Sequence, residues 1–260
     1  MVTGPTPGRA TGGADEAPGP SLTVLGCDGS YPGPGGAASG YLVRHAGVAV
    51  WLDAGPGTFA NLQLVADPGS VDAVVLSHEH PDHWSDIESF AVWAMHERPE
   101  RPVPVYAPPG LRRRSYFADA PGLSWAEVVP EQQLQLGGLE CRFAVTDHGP
   151  PTMAIRLDTA GRGRSSLAFS ADTGPAWSVS ALGDGIGTFL CEATFTTEHE
   201  GSSQHLSGRQ AGSMAAAAGV GRLVLTHRWP TVSAEALADE CAEAFGAPVD
   251  QAAIGQVLAW

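Results

Sequence analysis

Basic residues are scarce in this chain. Lys and Arg together number 14 against 28 Asp and Glu, giving a formal net charge of −14 over 260 residues. Such a surface repels polyanions, so a small molecule is expected as substrate rather than long RNA or DNA. A pair of bound cations would still create a local positive site, which keeps phosphate esters in play. Cysteine is scarce too. Cys27, Cys141, Cys191 and Cys241 are scattered and form no CxxC pair. A disulfide framework is therefore not expected, and a reducing cytoplasm is the default location. Cys141 and Cys191 lie in apolar, strand-like runs and read as buried thiols. No stretch approaches the roughly eighteen uninterrupted apolar residues of a membrane span. Residues 1–20 lack the apolar segment of a signal peptide; rich in Gly, Pro, Thr and Ala, they read as a disordered tail. The remainder, 21–260, suffices for one large α/β domain or two small ones.

What the chain does have is Ser77-His78-Glu79-His80-Pro81-Asp82-His83. Three imidazoles and two carboxylates, Glu79 and Asp82, follow directly on the apolar run Val71 to Leu76, a buried strand by its composition. In extended backbone His78 and His80 point to one side, and Pro81 favours a turn that re-aims Asp82 and His83. That geometry suits two adjacent divalent ions. Imidazole and carboxylate ligands without thiolate fit zinc best, with manganese or iron as alternatives.

The rest of the chain repeats the theme of an apolar strand ending in a polar group. Leu139 to Val145 leads to His148, Ser166 to Ser170 to Asp172, Ile186 to Cys191 to Glu192, and Arg222 to Thr226 to His227. Strand ends of this kind converge on one rim in layered α/β folds. His78, His80 and His148 are expected on one ion, Asp82, His83 and His227 on the other, and Asp172 between them. Further strands are expected over 21–27, 40–45 and 48–53, the last two as a hairpin turning at Ala46-Gly47. Met153 to Leu157 and 166–170 form a second hairpin, whose loop carries Arg162 and Arg164. Helices are expected over 59–66, 84–97, 207–218 and 232–245, and a closing strand over 249–254. The glycines of Gly55-Pro56-Gly57 allow a close backbone approach to the metal loop, and the segment reads equally as a weak phosphate-binding signature or as an ordinary tight turn. Arg112-Arg113-Arg114 reads as a solvated helix face, with steering of an anionic substrate as the alternative.

The run His78-x-His80-x-Asp82-His83, followed by His148, Asp172 and His227, resembles the metallo-β-lactamase superfamily over nearly the whole chain from Leu22. Phe169 to Gly174, Leu190 to Phe195, and His205-Leu206-Ser207 with Leu225-Thr226-His227 are similar to the branch holding tRNase Z and cyclic-nucleotide phosphodiesterases. The wording around Gln204 to Gly208 is closest to atypical actinobacterial cyclic-nucleotide phosphodiesterases. The resemblance implies a four-layer αβ/βα sandwich, two metal ions and phosphodiester hydrolysis. It implies Asp82 as the group that orients the attacking hydroxide, His205 as a proton donor to the leaving oxygen, and Glu192 as its orienting partner, with a structural hydrogen-bond role as the alternative for Glu192. Ser207 is also an N-cap candidate in its own right, which leaves His205 the alternative of a helix-start residue. Dimers are common in the family, so a homodimer is a further expectation. Between His148 and Asp172 there is no room for the arm with which tRNase Z grips tRNA, and 31–36 lacks that family's basic, Asn-bearing motif. The expected substrate is therefore a small phosphodiester such as a cyclic nucleotide. The alternatives are a tRNase Z-like endonuclease, a thioester or lactone hydrolase on the same scaffold, and a metal-binding protein without activity.

Overall fold

The computed structural model describes residues 19–160 and 165–260. Most of the tail expected over 1–20, and both Arg162 and Arg164, lie outside the described residues. In the first half, strands β1 (Ser21–Gly26), β2 (Gly40–His45) and β3 (Val48–Ala54) precede helix α1 (Thr58–Val65), and β4 (Ala73–Val75) precedes α2 (Asp86–Glu97). Strands β5 (Val103–Ala107) and β6 (Leu123–Glu127) complete that half. The second half runs β7 (Gln133–Leu136), β8 (Leu139–Val145), β9 (Met153–Thr159), β10 (Ser166–Phe169), β11 (Thr188–Glu192), α3 (Gly208–Ala217), β12 (Arg222–Thr226), α4 (Ala234–Phe245), β13 (Asp250–Gln251) and β14 (Val257–Ala259).

Two seven-stranded sheets result, in the orders β14-β1-β2-β3-β4-β5-β6 and β13-β12-β11-β10-β9-β8-β7. Each is antiparallel near one edge and parallel toward the other. The sheets pack face to face. Leu22, Tyr41, Val43, Val50 and Leu52 of one meet Phe143, Ile155, Leu157, Phe169 and Val224 of the other in one buried cluster. The opposite face of the first sheet, including Leu42, Trp51 and Val74, is covered by Leu62 of α1 and by Ile87, Phe90, Ala91 and Ala94 of α2. On the second sheet Phe189, Cys191, Leu223 and Leu225 are covered by Ala211 and Ala215 of α3 and by Leu237 and Cys241 of α4. This is the four-layer αβ/βα sandwich. Strands buried on both faces explain why β3 and β11 read as continuous apolar runs rather than as alternation.

Several boundaries differ from the sequence reading. Residues 81–83 form their own 3-10 turn, and α2 begins only at Asp86. Pro81 starts this turn, so the metal loop closes on itself before the helix begins. Leu111–Arg114 is likewise a single 3-10 turn rather than a longer helix, and its three arginines are exposed, as expected of a solvated face. Arg112 reaches Asp119, and Arg114 makes a bidentate pair with Glu79. The closing strand expected over 249–254 is only the two-residue β13. The chain then crosses to the other sheet, where β14 pairs antiparallel with β1, Leu22 opposite Leu258. All four cysteines are free thiols, with Cys141, Cys191 and Cys241 buried. No helix among the described residues is long and apolar enough to cross a membrane.

Candidate metal centre

The parallel strands of both sheets end on one rim. The loop after β4 presents His78, His80, Asp82 and His83. The segment after β8 presents His148, that after β10 presents Asp172, and the residue after β12 is His227. Two of these strand ends, and the end of β3, turn through backbone that L-residues rarely adopt: φ is +50° at Ala171, +57° at His227 and +50° at Asp53. Such conformations cost about 1–3 kcal/mol each and persist only where packing over-determines them. Here they turn the chain sharply at the rim. Gly55 is a close approach of the kind anticipated: a Cβ there would lie 2.0 Å from the carbonyl oxygen of Asp82.

Two groups of four ligand-type side chains form, sharing Asp172. One is His78, His80, His148 and Asp172; the other is Asp82, His83, Asp172 and His227. In the first, His148 Nε2 is 3.1 Å from His80 Nδ1, and His78 Nε2 is 3.5 Å from Asp172 Oδ2. In the second, His83 Nε2 lies 3.1 Å from Asp172 Oδ1 and 3.4 Å from Asp82 Oδ2. His227 Nε2 lies 3.3 Å from Asp172 Oδ1 and 3.2 Å from Asp82 Oδ2. Ligands about 2.0–2.1 Å from a tetrahedral ion stand about 3.3 Å from one another, so these spacings match the edges of such a shell. A second observation points the same way. His78 Nε2, His83 Nε2 and Asp172 Oδ1 are buried without a hydrogen-bond partner, a costly arrangement unless a cation meets them. The residues present therefore fit two divalent ions.

Two buried carboxylates hold the histidines from behind. Asp53 accepts His83 Nδ1 at 2.7 Å and the Ser77 hydroxyl at 2.7 Å, and Ser77 in turn stands 3.0 Å from His78 Nδ1. Glu192 accepts the Thr194 hydroxyl at 2.7 Å, and Thr194 stands 2.9 Å from His227 Nδ1. Each hydroxyl gives its proton to a carboxylate and so must accept from the imidazole. This fixes the tautomer that leaves Nε2 facing the cluster. His148 is oriented similarly, its Nδ1 donating to the Gln204 carbonyl at 2.9 Å. Asp53 was not singled out in the sequence; its carboxylate simply ends an apolar strand.

Of the three residues given catalytic roles, Asp82 lies within the second cluster. His205 stands beside both clusters, with Nδ1 3.0 Å from Glu192 Oε1 and 4.0 Å from Asp172 Oδ2. Glu192 also accepts the backbone N–H groups of Thr173 and Leu206. Its four acceptor contacts occupy it, so a third ion held by Glu192, His205 and His227 does not fit. Ser207 does cap α3, in a reciprocal capping box with Gln210.

The protonation states follow from this packing. Burial pushes the Asp172 carboxyl up, but His227, His83 and His78 around it hold it well below the usual range. Burial likewise opposes ionisation of Asp82, and His83 and His227 overcome it. Burial lowers His78 and His80, helped by the neighbouring charge of His83 and His148 respectively, and burial lowers His148. These three imidazoles are thus neutral and ready to ligate. His83 goes the other way. Burial disfavours its charge, but Asp172, Asp82 and Asp53 hold it well above its ordinary value. His205 is raised to about 9, because Glu192 and then Asp172 outweigh burial.

Comparison with known proteins agrees with this geometry. Residues 49–228 match the profile of the Beta-lactamase superfamily domain. An uncharacterized protein of Mycobacterium tuberculosis (strain ATCC 25618 / H37Rv) is 37% identical over 247 residues, covering 88% of each chain. A probable metallo-hydrolase of Bacillus subtilis (strain 168), YhfI, is 29% identical over 215 residues, covering 79% of this chain and 86% of that one. The crystal structure of YhfI, a metallo-beta-lactamase fold protein, aligns with a TM-score of 0.83 at 26% identity, covering 93% of this chain and 99% of its own. Ribonuclease Z of Mycobacterium avium (strain 104) is 29% identical over 247 residues, covering 82% and 87%. With two ligand clusters on the shared rim of two packed sheets, and that profile over most of its length, the chain belongs to the beta-lactamase superfamily as a metal-dependent hydrolase.

Proposed function

We propose that the chain hydrolyses a small phosphodiester, of which a cyclic nucleotide is the representative. His78, His80, His148 and Asp172 would hold one divalent ion and Asp82, His83, His227 and Asp172 the other. The nitrogen-rich, thiolate-free set favours zinc over manganese or iron. Two such ions, when bound, lower the pKa of water and offset the charge that builds on a transferring phosphoryl group. Asp82 Oδ2, held ionised, orients the attacking water and takes up its proton. His205, kept protonated by Glu192, gives a proton to the leaving oxygen, and Glu192 is its positioning residue.

The observation that carries this reading is His205 on Glu192, outside the ligand clusters yet 4.0 Å from Asp172. A leaving alkoxide needs a proton in the transition state. A thiolate, whose conjugate acid ionises near pH 8–9, leaves without one. The donor thus favours cleavage of an oxygen ester over a thioester. Ribonuclease Z among the relatives adds support for phosphorus over carbon, and also sustains a second reading, an endoribonuclease. Against RNA stand the net charge of −14 and the short β9–β10 hairpin between His148 and Asp172.

The test offers metal-loaded protein 3′,5′-cyclic AMP, bis(p-nitrophenyl) phosphate, precursor tRNA and a thioester. Turnover of the first two, lost on chelation and restored by zinc, is expected. His205→Ala should lower kcat by about 10²–10⁴ with metal content unchanged. Turnover of the thioester alone would overturn the reading.

A further inference from the structure

We infer that the cavity beside the first ligand cluster is a nucleoside subsite, with Arg113 gripping the base of a substrate whose phosphate lies at the metal centre. The inference rests on the phosphodiester reading above and names what the other half of that substrate is. The cavity, of about 420 Å³, is lined by Pro108, Pro109, Leu111, Pro150 and Pro151 together with Glu79, Arg113 and Arg114. Its lining is continuous in sequence with the metal loop and with the segment that carries His148. Glu79 is bonded on either side to His78 and His80, and Pro150 follows His148 by two residues. The volume lies within the roughly 300–1,000 Å³ of pockets that take organic ligands, and far exceeds a phosphate group. Proline rings are flat, rigid and apolar, and they bring no N–H donor. Such walls suit the faces of a planar ring system.

The arginines decide the polar side of the argument. The chain contains no lysine, so all its permanent side-chain cations are arginines. Two of the three consecutive ones are neutralised locally: Arg112 by Asp119, and Arg114 by Glu79 through contacts of 3.0 and 2.9 Å. Arg113, between them, has a side chain with no hydrogen bond or ion pair among the described residues; only its backbone N–H is bonded, to the Gly110 carbonyl. Its guanidinium folds back over Gly110, where a Cβ would lie 3.3 Å from Nη2. Gly110, at φ +99°, leaves that space open. A planar group with five donors and no acceptor, its side chain unclaimed at a slot lined by prolines and polar groups in an acidic protein, fits a ligand that offers acceptors along a flat edge. A nucleobase joined through ribose to the reacting phosphate meets both requirements. The Arg114–Glu79 pair ties one wall of the slot to the metal loop, which sets the base at a fixed place relative to the ligands.

The test compares 3′,5′-cyclic AMP with methyl p-nitrophenyl phosphate, a phosphodiester without a base, on the metal-loaded full chain. Arg113→Ala should raise KM for the cyclic nucleotide about tenfold or more, leave kcat nearly unchanged, and leave both constants for the small diester unchanged. Pro109→Trp, an exposed site whose new ring fills the slot, should do the same. Arg112→Ala, which removes a cation already paired to Asp119, should move neither substrate. Equal effects of Arg113→Ala on both substrates, or no effect on either, would overturn the subsite while the phosphodiester reading stands. A wild-type protein that cleaves neither substrate would overturn both.

Discussion

Asp53 and Glu192 are counterparts on opposite sheets. Each is fully buried, and each fixes two histidines, one directly and one through a hydroxyl. Asp53→Asn keeps the shape and the tolerance for φ +50°, but an amide cannot accept from Ser77 N, Ser77 Oγ and His83 Nδ1 together. Metal affinity should fall about 10–100-fold, as is usual when the partner of a ligating histidine is removed. Metal titration of the purified variant reads this directly. Asp53→Ala should in addition cost about 1–3 kcal/mol of stability, because it strands buried donors; unchanged affinity in both variants would show that Ser77 alone orients the loop. The same residue marks the limit of what the sequence discloses at this scale. His78 to His83 are legible because five ligand-type side chains, four of them in the two clusters, stand within six positions. Asp53 meets its partners 24 and 30 positions away, and no local spacing flags it.

At the scale of elements, hydrophobic runs found the central strands and the four helices, to within a few residues at each end. What they missed lies at the sheet edges. In β6 only Leu123 is buried, and in β7 only Leu136; strands with one face in water and little apolar content carry no periodic signal. The three-residue β14 is visible only through its partner β1. A different feature of the elements was hidden by propensity. Gly208 and Gly212 lie one turn apart on α3, where isolated glycine reads only as a weak spot. In the structure they face α4: a Cβ on Gly212 would lie 2.3 Å from the Cys241 carbonyl oxygen, and one on Gly208 2.4 Å from that of Leu237. Gly212→Ala therefore sets two effects against each other. Helix propensity gains about 1 kcal/mol, while forcing α3 away from α4 costs about 1–3 kcal/mol. The clash is with backbone, which cannot swing aside, so the net change should be destabilising. Urea denaturation should show a lower midpoint, and a midpoint that rises would mean the two helices slide apart at little cost. Since Ser207, which caps α3, stands two residues past His205, kcat should also fall before metal content does.

Across the whole molecule, charge and topology act together. The repeated ending of apolar strands in a potential ligand made the convergence on one rim legible, because parallel strands of a layered fold must all end on the same side. Which strand neighbours which was not legible, since register and the crossing of β14 depend on contacts between the two halves. The charge of −14 belongs to the surface as a whole and bears on substrate choice in a way that can be measured. An anionic substrate approaches this molecule against net repulsion, with local attraction expected at the proposed metal centre and at Arg113. Added salt screens the long-range repulsion more than the short-range contacts, since the Debye length shrinks to about 8 Å at physiological ionic strength. For a cyclic nucleotide kcat/KM should therefore hold steady or rise, on the order of twofold, between about 50 and 200 mM salt. A protein that reads RNA through several phosphate contacts behaves oppositely, losing about 10³-fold or more in affinity over that interval. A steep fall for any substrate in a salt series at constant pH and metal would mean that a basic surface governs binding, and the endoribonuclease reading would then replace the small-diester one.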